Sequence, residues 1–178
     1  MDLKPHLRGR NLKWNWDSIT KHCVENPSSI EDILAYCIDE ETIIQQNAGA
    51  VLGKIIDLDK KVLIKYEQRI LDLLKTNPHD AVKRAAMRVF QFIEIDEEVE
   101  GQLFDMAMTY VNNPEEAIAV RAFGMTAARR VCEKYPELAN ELLPPIEVMV
   151  DQKLSSGIVN RGEKELKILR KLTSELQP

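Results

Sequence analysis

Glycine, aromatic residues, cysteine and histidine are all scarce in this chain, and each shortage excludes something. Seven glycines and ten aromatics (two Trp, four Tyr, four Phe) in 178 residues weigh against a β-sandwich, a barrel or a glycine-looped nucleotide fold. No apolar run approaches the roughly 18 residues of a membrane span. Three cysteines, Cys23, Cys37 and Cys132, are odd in number, and their separations of 14 and 95 residues fit neither a disulfide framework nor a zinc motif. They are expected to be buried thiols in a reducing compartment. The three histidines, His6, His22 and His79, share no metal-ligand spacing, and neither a P-loop nor a dinucleotide glycine pattern occurs, so no metal and no cofactor is expected. The opening Met1-Asp2-Leu3-Lys4 lacks the apolar core of a secretory signal, which predicts a cytoplasmic protein.

What is present is an aliphatic, charged composition, with 44% hydrophobic and 30% charged residues. That balance predicts one soluble all-α domain over residues 1–178, large enough to bury a core without staples. The net charge of −5 makes the whole chain a poor binder of polyanions, although a local basic face remains open. Its distribution is uneven. Residues 1–25 carry five cations against three anions, whereas residues 26–59 carry Lys54 against seven anions.

An internal repeat organises the rest. The segment Asn77-Pro78-His79-Asp80-Ala81-Val82-Lys83-Arg84-Ala85 recurs as Asn113-Pro114-Glu115-Glu116-Ala117-Ile118-Ala119-Val120-Arg121-Ala122, with Arg84 and Arg121 separated by 37 residues. Stepping back another 37 reaches Asn47-Ala48, and stepping forward 40 reaches Arg161-Gly162. A polar residue followed by a small one thus recurs four times, the small one allowing neighbouring helices to approach. Between these segments lie Ile30, Ile33, Leu34, Cys37 and Leu63, Tyr66, Ile70, Leu74, again with helical spacing. The period predicts helices near 17–25, 29–39, 41–58, 60–76, 79–94, 97–112, 115–135, 137–153 and 156–174, with Pro144-Pro145 breaking the eighth into a short turn and a longer helix. Asp17, Ser28 or Ser29, and Ser155 or Ser156 are candidate N-caps. The helix from Glu115 is apolar nearly all round and should be sandwiched between neighbours, while the last, with Lys164, Glu165, Lys167, Arg170 and Lys171 outward, should cap an end. Residues 1–25 form an N-terminal segment and capping helix, and residues 28–174 the repeats.

A two-helix repeat of 37 to 40 residues carrying Val120-Arg121-Ala122 near the start of its second helix resembles the HEAT and armadillo α-solenoids. Lys83-Arg84-Ala85, Gln46-Asn47-Ala48 and Asn160-Arg161-Gly162 are its counterparts. The nearer resemblance, over residues 28–172, is to short bacterial HEAT-like proteins, carried by Arg121-Ala122-Phe123-Gly124-Met125, by the helix at Pro144-Pro145, and by Ser155-Ser156-Gly157 leading to Arg161. It implies a right-handed α-α superhelix of about four helix pairs and a non-enzymatic protein-interaction role on the concave face. In HEAT repeats an acid about six positions before the Arg often joins an inter-repeat ladder, and Glu115 holds that place before Arg121. Two other functions come with the resemblance. Some members carry the label adenylosuccinate lyase, but neither Ser28-Ser29 nor Ser155-Ser156 continues into that enzyme's Ser-Ser-x-Met-Pro-x-Lys-x-Asn loop. HEAT-like DNA glycosylases grip DNA in a basic groove, and the net charge of −5 and the lack of an aromatic on the arginine row weigh against nucleic acid.

The candidate partner-binding residues are Arg84, Arg121 and Arg161, with Arg88 one turn beyond Arg84. Aligned on successive second helices, these guanidinium groups would suit the carboxylates of an acidic protein or peptide; the competing expectation is that they pair with acids of the adjacent repeat. Other candidates carry less chemistry. His22 and Cys23 are adjacent and point about 100° apart on a helix. His79-Asp80, Asp39-Glu40-Glu41 and Asp96-Glu97-Glu98-Glu100 are expected to serve helix N-termini in solvent. Trp14 and Trp16, on an extended strip before the first helix, are expected to cover the N-terminal end of the stack.

Overall fold

The fold was established from a computed structural model describing residues 2–9 and 13–175, with the side chains of residues 13 and 14 outside the description. The described residues form helices and connecting turns, without a strand, and the architecture is all-α and HEAT-like. The chain divides into two compact units, Met1–Ile95 and Asp96–Pro178.

In the first unit, α1 (Lys4–Leu7), α2 (Lys13–Glu25), α3 (Ile30–Tyr36), α4 (Thr42–Asp59), α5 (Glu67–Lys75) and α6 (Asp80–Val89) follow in order. Helices α2, α4 and α6 pack side by side, with α4 in the middle and α3 and α5 behind. Gly49 sets the α4–α6 spacing, because a Cβ there would lie 2.8 Å from the Ala81 carbonyl carbon and 2.9 Å from the Val82 nitrogen. The expected helix at 60–76 is instead a 3-10 turn, Lys60–Tyr66, followed by α5. Asp59 separates that turn from α4: its backbone is extended and its carboxylate accepts from the Lys61 N–H at 3.0 Å. Helix α5 ends through Asn77, held at φ 51°, a left-handed geometry asparagine tolerates. His79 then caps α6 by accepting from the Ala81 N–H at 3.1 Å, as its position before a helix suggested.

Two expectations fail at the N-terminus. The helix starts at Lys13 rather than near 17, so Trp14 and Trp16 lie within α2 and not on an extended strip. Trp16 is half-buried, and the proposed role of Trp14 falls on a side chain outside the described residues. Asp17 is therefore no N-cap. The short α1 went unforeseen, and its Leu3 and Leu7 are fully buried.

In the second unit, α7 (Glu97–Asn112), α8 (Ile118–Cys132), α9 (Ala139–Asp151) and α10 (Ser156–Glu175) form two helical pairs. Helix α8 packs against α7, α9 and α10, as its wide apolar arc implied. It starts three residues later than expected because Asn113 and Glu116 take the preceding N–H groups themselves, from Glu115 at 3.0 Å and Ala117 at 3.1 Å. Pro144 and Pro145 do not break α9, which runs through both. The N–H groups that the two prolines lack would have served the carbonyls of Asn140 and Glu141, exposed residues of its first turn that solvent can reach. Ser155 caps α10 by accepting from the Ile158 N–H at 3.2 Å. Gly162 lets α10 approach α9, since a Cβ there would meet a Val150 methyl at 2.5 Å.

Candidate partner-binding surfaces

The surface of each unit is governed by how the charges of its second helices are matched. In the first unit the matches are rungs at the protein surface. Lys54 on α4 reaches Asp17 on α2 at 2.5 Å, and Arg88 on α6 reaches Asp57 on α4 at 2.5 Å, with a further Nη1 hydrogen bond to the Gly53 carbonyl at 2.8 Å. Arg88 therefore pairs with an acid of the adjacent repeat. Arg84, one turn earlier, is exposed and has neither a hydrogen bond nor an ion pair among the described residues.

The uneven charge of the N-terminal third has a structural reason. Lys4 donates to Asp39 at 2.6 Å, and Arg8 pairs with both carboxylate oxygens of Glu41. Asp39 and Glu41 thus hold the basic segment against the α3–α4 corner, correcting the expectation that they serve only a helix terminus in solvent. The ammonium of Lys4, with the Glu41 N–H behind it, holds the Asp39 carboxyl below its usual range, and Arg8 does the same for Glu41. Asn47, the first-repeat counterpart of Arg84, is buried and donates to the carbonyls of Leu7 at 2.7 Å and Gly9 at 3.2 Å. It ties the same segment down from beneath.

In the second unit the match that joins the second helices α8 and α10 is buried. Glu165 is 4% exposed, not outward as its helical neighbours suggested. It accepts from the Thr126 hydroxyl and from Arg129 Nε, the latter at 2.8 Å. Arg161 donates to the Thr126 hydroxyl at 2.8 Å and lies 5.6 Å above the Phe123 ring, so its charge is satisfied inside the α8–α10 contact. Glu100, expected in solvent, is 2% exposed and pairs with Lys134. Of its acidic neighbours, Asp96 caps α7 by accepting from the Glu98 N–H at 3.1 Å.

Arg121 differs from the other three arginines. It is 8% exposed, and it does not pair with Glu115, which is exposed. Its Nε and Nη2 donate side-on to the Val111 carbonyl, at 3.3 and 3.1 Å. Among the described residues no acid offsets its burial, and desolvation lowers its pKa. Beside it opens a cavity of about 540 Å³ between the end of α7 and α9, walled by Pro145, Val148, Met149 and Leu154. Asn112 and Gln152 supply the only other hydrogen-bonding side chains of the lining, and no carboxylate faces it. Sequence reasoning marked Arg121 but not the cavity, which depends on how α9 packs.

A larger cavity of about 700 Å³ in the first unit, between α2 and the end of α4, has the opposite character. Its acids are already matched: Asp17 by Lys54, Glu25 by Lys21, Asp57 by Arg88, and Asp59 by the Lys61 N–H.

Burial pushes the thiols of Cys23, Cys37 and Cys132 up to about 12, so none is a nucleophile near neutral pH. His22 shares a hydrogen bond with Ser29 at 3.2 Å and is turned away from the buried Cys23. Among the described residues no group of three or more His, Cys, Asp or Glu side chains is placed to hold a metal ion, and no helix is long and apolar enough to cross a membrane.

A family model described as HEAT repeat domain matches residues 3–169. The chain belongs to the HEAT repeat family. No curated protein and no solved structure matches it. The match runs through both compact units, and the polar-then-small pair recurs on α4, α6, α8 and α10 within it. Membership points to a protein-interaction scaffold, on which the second helices α4, α6, α8 and α10 carry the four candidate arginines and Asn47.

Proposed function

We propose that this HEAT repeat protein is a non-enzymatic, cytoplasmic interaction module that receives an acidic protein or peptide partner on its second-helix surface. The observation that carries this reading is Arg84. Among the described side chains of α2, α4 and α6, Lys21, Lys54, Lys83 and Arg88 are all engaged by acids, and Arg84 alone is not. An exposed guanidinium left out of a surface of matched charges offers a planar fork to an incoming carboxylate. Its hydration is all that pairing would displace. The raised thiol pKa values of the three cysteines support a non-catalytic role.

Affinity capture from the native cytoplasm with the wild-type chain and with Arg84→Glu tests the proposal. Mass spectrometry is expected to find an acidic protein retained by the first and lost by the second. Identical capture by both would remove Arg84 from the interface. Salt-sensitive DNA binding in a low-salt gel shift would replace a protein partner by nucleic acid.

A further inference from the structure

The cavity beside Arg121 holds a buried positive charge that no acid among the described residues matches. A buried ion is ordinarily paired, because removal from water costs far more than one neutral hydrogen bond returns. Arg121, at 8% exposure, has one carbonyl for company, that of Val111. The carbonyl occupies the side-on edge formed by Nε and Nη2. The end-on edge, made of Nη1–H and the second Nη2–H, is left over, and two parallel N–H groups at that spacing fit the two oxygens of a single carboxylate.

What surrounds the guanidinium narrows the ligand. Most of the cavity wall is apolar side chain from Pro145, Val148, Met149 and Leu154, and Val148 and Leu154 are 51% and 43% exposed at its mouth. The volume of about 540 Å³ falls within the range of sites that enclose small ligands. The ligand must therefore carry its charge next to aliphatic surface and bring few other polar groups. An internal Asp or Glu of a partner does not meet that demand, since its own backbone N–H and C=O and those of the following residue enter with it. A chain end does: its carboxylate and last side chain leave from one carbon, with a single peptide group behind. Asn112 and Gln152, on the rim, are placed to take that peptide's hydrogen bonds.

We propose that the Arg121 cavity is a receptor for the free C-terminal carboxylate of a partner chain that ends in an aliphatic residue. The site rests on the reading of the protein as a scaffold for a protein partner, and it names the part of that partner which docks. The ion-pairing edge of Arg121 recognises the carboxylate, and the Val148–Met149 wall recognises the side chain.

The test is an NMR titration of the labelled full chain with acetyl-Ala-Leu bearing a free carboxylate, and with the same dipeptide as its amide. The free acid is expected to shift the Arg121 Nε–H and the methyl signals of Val148 and Met149, and the amide to bind at least about tenfold more weakly, the usual loss for a charge-assisted hydrogen bond. Arg121→Gln, which keeps a donor for the Val111 carbonyl, is expected to abolish the difference between the two peptides. Val148→Glu offers a second readout in a half-exposed position: it should weaken both peptides by removing apolar wall, and the acid more than the amide because the new carboxylate repels it. Equal binding of acid and amide, or no shift at millimolar peptide, overturns the proposal. So does acetyl-Leu-Glu-amide or inorganic phosphate binding as tightly as the free chain end. A partner captured equally well by wild type and Arg121→Gln would remove this site while leaving the scaffold reading standing, whereas identical capture by wild type and Arg84→Glu, with peptide binding at the Arg121 cavity intact, would do the reverse.

Discussion

Residues 1–95 and residues 96–178 solve the same packing problem, the joining of neighbouring second helices, with charges in different surroundings. In the first unit the rungs Lys54–Asp17 and Arg88–Asp57 lie at the surface, where the acids are 54% and 62% exposed. In the second, the Glu165 side chain that joins α10 to α8 is 5% exposed and is reached by Arg129, Arg161 and Thr126. A surface pair gives modest attraction in a high dielectric, so the first unit's helix contacts rest on close backbone approach at Gly49 and on Ala48, Val51, Leu52 and Ile55 beneath. A buried carboxylate is stable only while every partner stays in place. The second unit is therefore the one in which a single polar substitution does most harm.

Glu165→Ala should have the largest effect. It removes the buried acceptor shared by Arg129 and Thr126, leaving Arg129 with Glu133 alone, and a loss of about 3 kcal/mol is expected in denaturant unfolding. The matching truncation Asp57→Ala in the first unit should cost no more than about 1 kcal/mol; equal losses would erase the distinction between the two units. Gly49→Ala comes next, at about 1–3 kcal/mol, because its new Cβ meets the Ala81–Val82 backbone, which cannot turn aside as a flexible side chain would. A neutral result there would show that α4 and α6 separate freely.

The smallest effect belongs to Asp39 and Glu41 and depends on pH. Their carboxyl groups titrate lower in the folded protein than the ordinary values of 3.8 and 4.5. Their contribution is thus complete above those values and fades as pH falls through the depressed folded ones. Hydrogen exchange is expected to show α1 losing protection in that acid range before α4 does. Protection that is unchanged there would mean that Asn47 and the buried leucines hold the segment without the ion pairs.

Much of this was legible in the sequence, and the failures share a cause. Helix α7 fell at residues 97–112 as its periodicity indicated, and the 37-residue step from Asn47 to Arg84 to Arg121 located the second helices. Glu100 and Glu165 were placed in solvent because of their charge, although each sits at helical spacing from buried apolar residues, Glu100 with Leu103, Phe104 and Ala107, and Glu165 with Ile158, Gly162 and Leu169. The repeat held the missing signal for one of them. Arg129 precedes Glu165 by 36 residues, close to the repeat period, which is the separation at which adjacent second helices meet. The charge asymmetry of the first 59 residues likewise foretold the Lys4–Asp39 and Arg8–Glu41 pairs without naming them.

The sequence by itself determined that the chain is helical, where most helices lie, and that small residues recur where helices touch, because each follows from local spacing of apolar and small side chains. Only the tertiary structure decided which of four similar arginines keeps an unmatched charge. Arg88 and Arg161 meet acceptors on the neighbouring second helix, Arg84 meets solvent, and Arg121 meets a carbonyl at the edge of an apolar cavity. Whether a guanidinium is satisfied depends on groups contributed by helices tens of residues away, and that proximity exists only after packing.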